Sequence, residues 1–244
     1  MSRNNTRNEG NILGALAAGS LIMFAIGGWF HNWSHNERGL WWPWQYKMSL
    51  LAGLANVWYI FLWAVGVTVV VAVILIWKRV PRGGNPVAMF VGGLLRSAAA
   101  GVFEEIVFRW LLVLSAPAIL TLLNWITFGL VKWINVHWML TFANWATFGI
   151  LGPQLHNSNW VMAAAILYAA AAFSSGHAYL GPVGLVNSWF IGMIMFYLVF
   201  NYGIITAIVA HFAYDAIIFS ILAASAAFRP KMNMFGAMAA LFRG

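Results

Sequence analysis

From residue 49 to residue 77 the chain runs without a charged side chain, and a stretch of that kind sets what the polypeptide can become. At 1.5 Å per residue, about 20 apolar residues cross a hydrocarbon core of about 30 Å as one helix. Comparable apolar runs cover 11–30, 85–115, 118–134, 159–179, 183–200 and 203–228. They are continuous rather than alternating, which argues for helices and against the short in-out strands of a membrane barrel. Composition agrees: 63% of the residues are hydrophobic and 7% charged, outside the range of water-soluble domains. The expected fold is an all-α polytopic membrane bundle of about seven to eight transmembrane helices, without internal repetition.

The formal charge of +8 follows the membrane rather than a nucleic acid. Arg3 and Arg7, then Lys78, Arg79 and Arg82, then Arg229, Lys231 and Arg243 collect at the ends of apolar runs, and such clusters mark cytoplasmic loops. The expected organisation is a polar tail at 1–10, one transmembrane domain at 11–228 and a basic tail at 229–244, with the N-terminus cytoplasmic. The first run reads as a retained signal anchor. Pro117 is expected to break the helix that begins near 85. The piece 137–151, flanked by His137 and His156, has the length to cross, re-enter or lie at the interface. There is no cysteine, which excludes disulfides, thiolate metal ligands and cysteine nucleophiles.

Three of the five acidic residues, Glu104, Glu105 and Asp215, fall inside apolar runs, where a charged side chain costs roughly 2.5–3.5 kcal/mol on insertion scales. Carboxylates in such places mark functional sites. Arg109 follows Glu105 by one helical turn, so these two neutralise each other on one face. Glu104 points about 100 degrees away and is the candidate for acid–base work. Phe173 and His177 share a helical face, as do His211 and Asp215. Polar positions on three helices are thereby available to a site inside the bundle.

Glu104-Glu105-Ile106-Val107-Phe108-Arg109 fits the pattern EExxxR, Phe173 to His177 fits FxxxH, and His211 to Asp215 fits Hxxx(N/D). In this order the motifs resemble those of the CPBP family of intramembrane glutamic proteases, which includes CAAX prenyl endopeptidases of the Rce1 type and bacteriocin-processing members. The resemblance covers about 96–220. It implies that Glu104 activates a water with help from His177, that His211 and Asp215 stabilise the oxyanion, and that Glu105, Arg109 and Phe173 support the site. Asp215 departs from the Asn of the better-known prenyl proteases. An ionised Asp accepts hydrogen bonds and cannot donate one to an oxyanion, so Asp215 must be protonated, orient His211 or signal altered activity.

The implied activity is endoproteolysis of a membrane-anchored peptide or protein, prenylated or C-terminally sorted, in a prokaryotic inner or plasma membrane. Lipid is the expected surrounding; no cofactor, metal or nucleic-acid partner is implied. The sequence contains no HExxH, no serine elbow of the rhomboid kind and no GxGD, which removes other protease classes. Three readings stay open beside it. The acidic and imidazole groups suit a metal or a proton relay, and a noncatalytic subunit of a larger membrane complex would use the 15 tryptophans for lipid and partner contacts.

Overall fold

The computed structural model describes residues 49–81, 84–156 and 160–229. The polar N-terminal tail, the first expected span at 11–30 and the tail beyond Arg229 lie outside the described residues. Within them, all regular structure is helical: α1 Leu50–Asn56, α2 Trp58–Trp77, α3 Pro86–Glu104, a π-helical stretch Glu105–Leu111, α4 Leu112–Ile126, α5 Leu130–Ile134, a second π stretch Asn135–Met139, α6 Leu140–Ala146, α7 Gly152–His156, α8 Trp160–Gly176, a 3₁₀ turn Ala178–Leu180, α9 Gly181–Tyr202 and α10 Ile204–Ala227. Four helical segments are long and apolar enough to cross a membrane, Trp58–Trp77, Pro86–Ile126, Ala178–Tyr202 and Ile204–Ala227, and Trp160–Gly176 is a shorter apolar helix. The expected all-α membrane bundle is thus the observed one.

The described residues form two compact units, one of 54–101 and 208–229, the other of 102–207 with 49–53. In the first, α2 buries a stripe at every fourth residue, Ile60, Ala64, Thr68 and Ala72, and exposes Trp58, Leu62, Trp63, Val70 and Val73. A helix that leaves large apolar side chains outside is at home in lipid. α3 buries Gly93, Ser97 and Gly101, a small-residue stripe of the kind that lets membrane helices approach closely. A Cβ on Gly93 would lie 2.5 Å from Cβ of Phe219, and one on Gly101 would lie 3.0 Å from the Ile208 carbonyl oxygen. α3 and α10 therefore pack through glycine.

In the second unit α4, α8 and α9 enclose a core of Val113, Ala116, Ala163, Ala165, Ile166, Ala169, Ala170, Met193 and Phe196. α8 contributes mostly alanine, so its neighbours come close and their larger side chains fill the space.

Pro117 does not end a helix, contrary to expectation: it sits within α4, and the chain is helical from Pro86 to Ile126. The rule that proline stops a helix holds in water, where the freed carbonyl is hydrated. In an apolar surrounding, breaking the helix would strand several more backbone groups, so bending around one lost bond is the cheaper course. The turn comes instead at 127–129, through left-handed Phe128 (φ 52°) and Gly129 (φ 90°).

The expectation of no internal repetition also fails. Residues 120–129 and 140–149 share the pattern LTxxNWxTFG, identical at seven of ten positions, and they fold alike: Phe148 (φ 54°) and Gly149 (φ 74°) repeat the left-handed pair.

The close α3–α10 packing gives a direct prediction. Gly101→Val meets backbone atoms that cannot move aside and should lower stability by about 1–3 kcal/mol, while Gly92→Ala, with no atom within 4 Å of its Cβ position, should leave it unchanged. Thermal unfolding in detergent measures both.

Candidate active site

The adjacent glutamates stand at a change of helix type. Glu104 ends α3 with α-helical torsions, and Glu105 opens the π stretch. Within it the backbone N–H of Leu112 reaches the Val107 carbonyl, five residues back instead of four, so the turn is wider and side chains one turn apart stack more nearly in line. Glu105 and Arg109 meet there, with Nε 3.2 Å from Oε2 and both side chains at 0% exposure. Glu104 is half-buried. The two neighbours in sequence thus differ in burial, Glu105 sealed in the core and Glu104 half-buried with its Oε2 shut off from solvent.

A fully buried guanidinium needs more than one carboxylate. The Arg109 Cζ lies 4.1 Å from the centroid of the Phe173 ring on α8 and 5.5 Å from that of Phe196 on α9. The π faces of two aromatics carry partial negative charge toward the cation and shed little hydration in doing so. Room for this stack comes from Gly192, where a Cβ would lie 3.2 Å from Phe173 Cδ1 and 3.4 Å from Arg109 Nη2. Gly192 and Phe196 are one turn apart on α9 and are part of the site that sequence reasoning missed. Neither residue type carries a chemical signal, and only the fold reveals that they face an arginine.

Phe173 links this stack to His177. Its ring packs edge-on against Phe108, 5.4 Å between centroids, and lies 4.7 Å from the His177 imidazole. The Nδ1 atom of His177 is 2.9 Å from the Phe173 carbonyl oxygen, which orients the ring; donation from Nδ1–H leaves Nε2 with the acceptor lone pair. His177 follows the last residue of α8 with φ −100° and ψ 13°, so it caps the helix rather than continuing it. Ser174 fastens this end by donating from Oγ to the Leu185 carbonyl at 2.6 Å. Phe173 is therefore held from three sides, and the imidazole rides on it.

Glu104, Glu105, Arg109, Phe173 and His177 belong to the unit of residues 102–207. His211 and Asp215 belong to the other unit. They lie one turn apart on α10, His211 Nε2 3.7 Å from Asp215 Oδ2, the imidazole nearly sealed and the carboxylate 25% exposed. The separation is that of a charge contact, longer than a hydrogen bond. Among the described residues, no three His, Asp or Glu side chains gather as a metal ion would require. His137 is exposed, its Nδ1 2.9 Å from the Trp133 carbonyl.

Because a lone charge in a sealed site is far costlier than a matched pair, Glu105→Leu or Arg109→Met alone should each destabilise the protein by about 3–5 kcal/mol. The double substitution should cost less than the sum of the two singles. A double-mutant cycle on unfolding in detergent reads the difference.

A family model described as Type II CAAX prenyl endopeptidase Rce1-like matches residues 86–217. No curated protein matches, and no solved structure does. The matched stretch opens at the first residue of α3, takes in all three motifs and closes just beyond Asp215. It covers more than half of the 244 residues, on helices long and apolar enough for a bilayer, and the chain belongs to the Rce1-like CAAX prenyl endopeptidase family of integral membrane proteins.

Proposed function

We propose that this protein is an intramembrane endopeptidase that uses Glu104 to activate water against a peptide bond of a membrane-anchored substrate, prenylated or C-terminally sorted. The observation that carries this reading is the division between the paired glutamates. Glu105 is fully buried against Arg109, a structural arrangement, whereas Glu104, its direct neighbour, is half-buried.

In the proposed reaction a water oxygen adds to the carbonyl carbon while its proton passes to the Glu104 carboxylate, with His177 holding the water. The carbonyl oxygen becomes an oxyanion and receives a hydrogen bond from His211. Collapse expels the amine, which takes the proton from Glu104, and the carboxylate is restored. Asp215, close to His211 Nε2, serves by orienting that imidazole. A ring held in one orientation presents its N–H to an oxyanion, so an Asp here acts through His211 where related proteases use an Asn. Arg109 and Phe173 hold the helices that carry Glu104 and His177.

The same Asp215 favours one second reading, a noncatalytic family member acting as a subunit of a membrane complex. Cleavage of a panel of membrane-anchored and prenylated peptides by the reconstituted protein separates the two. Wild type should cleave at least one member, Glu104→Gln should lose roughly 10²–10⁴-fold in rate, and a chelator should leave the rate unchanged. Loss with chelator would mean a metal enzyme, and absence of cleavage across the panel would favour the subunit.

The role given to Asp215 makes its own prediction. Asp215→Asn should keep cleavage within about tenfold of wild type, because Asn supplies a donor directly, while Asp215→Ala should lose about 10²-fold, in the range of one oxyanion donor. Single-turnover rates on the best panel substrate measure both.

A further inference from the structure

The first unit has two unlike ends. Helix α2 stops at Lys78 and Arg79: Arg79 turns left-handed at φ 51°, and the Val80 N–H closes the turn on the Leu75 carbonyl at 3.0 Å. Helix α3 begins shortly afterwards at Pro86, so α2 arrives at this end and α3 departs from it. The direction of α10 follows from its glycine contacts. Going along α3 from Gly93 to Gly101 goes back along α10 from Phe219 to Ile208. The two helices are therefore antiparallel, and α10 finishes, at Ala227, at the end where α3 starts.

The cations follow this geometry. Lys78 and Arg79 are exposed where α2 ends, and Arg229, partly exposed, follows the last turn of α10. Arg82, Lys231 and Arg243 stand near them in sequence. The other end is bare: residues 48–60, 97–103 and 203–214 contain no Lys, Arg, Asp or Glu, and Trp58 and Tyr59 are exposed there. Arg96 is exposed on α3. Side chains on a helix lean toward its N-terminus, so Arg96 belongs with the basic end. An excess of Lys and Arg marks the cytoplasmic side of a membrane span. The stretch 31–47, which leads into the bare end of α2, holds two such residues, Arg38 and Lys47, against the six named above at the basic end.

The motif residues on these helices lie far from the cations. Glu104 closes α3, about 27 Å along the helix from Pro86. On α10, His211 is about 24 Å and Asp215 about 18 Å back from Ala227. A hydrocarbon core is about 30 Å thick, and α2 with its 20 residues matches it. Glu104 and His211 thus approach the bare surface, and Asp215 sits one turn deeper.

We infer that the end of the first unit carrying Glu104 and His211 opens on the extracytoplasmic side of the membrane, and that the substrate is a membrane-anchored chain whose cleavable segment has already crossed the bilayer. The inference rests on the hydrolase reading above and narrows it. A chain prenylated in the cytoplasm presents its cleavage point at the basic surface, about 27 Å of helix away from Glu104. A chain that carries a C-terminal sorting anchor presents it, after export, at the bare surface beside Glu104 and His211. That surface also suits a segment leaving lipid. With no fixed cation or anion among the described residues there apart from the motif groups, the segment meets apolar and aromatic side chains first.

The chain has no cysteine, so Pro81→Cys in the basic turn and Ala55→Cys at the bare end, both exposed positions, each give the full-length protein one thiol. In bacterial spheroplasts a membrane-impermeant maleimide should label Ala55→Cys and spare Pro81→Cys, and in inverted membrane vesicles the pattern should reverse. The substrate probe is the lipid-anchored panel peptide that the wild type cleaves fastest in detergent, with Glu104→Gln as the blank for host proteases. Added from outside, the peptide should be cleaved by spheroplasts and left intact by inverted vesicles until detergent opens them. Labels in the opposite pattern, labels reached from both sides, or cleavage by intact inverted vesicles overturns the inference. Absence of cleavage even in detergent strikes the hydrolase reading and the substrate assigned here with it, while the labels still decide which surface the motif end faces.

Discussion

The buried ion pair of Glu105 and Arg109 is the constraint around which the second unit is arranged. Neither charge is tolerable alone in an apolar bundle, so each depends on the other, and the guanidinium draws two aromatic rings and a glycine into contact from two further helices. Helix α8 is bound to the π stretch through Phe173, and α9 through Phe196 and Gly192. The pair does for this unit what a disulfide or metal does elsewhere: it joins segments distant in sequence and fixes their register. The same contacts carry His177 into place, since its ring rests on Phe173 and its Nδ1 reaches the Phe173 carbonyl. Structural charge and candidate reactive charge are thus adjacent in sequence but differ in environment.

Much of this was legible from spacing. The interval from Glu105 to Arg109 announced an ion pair because residues one turn apart meet on either an α or a π turn, and the geometry survived the change of helix type. The fourfold interval from Phe173 to His177 likewise survived a helix that ends between them. The length of the apolar runs also announced the membrane helices. What could not be read were contacts between helices: nothing about Gly192 or Phe196 as residue types points toward an arginine. Pro117 misled because its rule assumes water, and in an apolar surrounding the balance between bending and breaking changes sign.

The repeat escaped for a different reason. Identity at Leu120, Thr121, Asn124, Trp125, Thr127, Phe128 and Gly129 with their counterparts is concentrated in a few residues within long apolar runs, where composition alone makes stretches look alike. Its meaning comes from torsion angles. A phenylalanine in the left-handed region, twice and with the same partners, is a local choice that neither hydrophobic periodicity nor composition encodes. The second unit thus carries two kinds of unfavourable local term, a buried charge pair and two turns with a left-handed phenylalanine. Each is held by surroundings that make the alternative worse.

The central claim is that the two adjacent glutamates divide structure from chemistry, and parallel measurement of unfolding and cleavage on Glu104→Gln and Glu105→Gln tests it most directly. The account predicts that Glu104→Gln unfolds with wild-type midpoint and cleaves roughly 10²–10⁴-fold more slowly, while Glu105→Gln unfolds at a clearly lower midpoint and, below it, cleaves faster than Glu104→Gln. An unchanged midpoint for Glu105→Gln, or cleavage by Glu104→Gln at the wild-type rate, would contradict it.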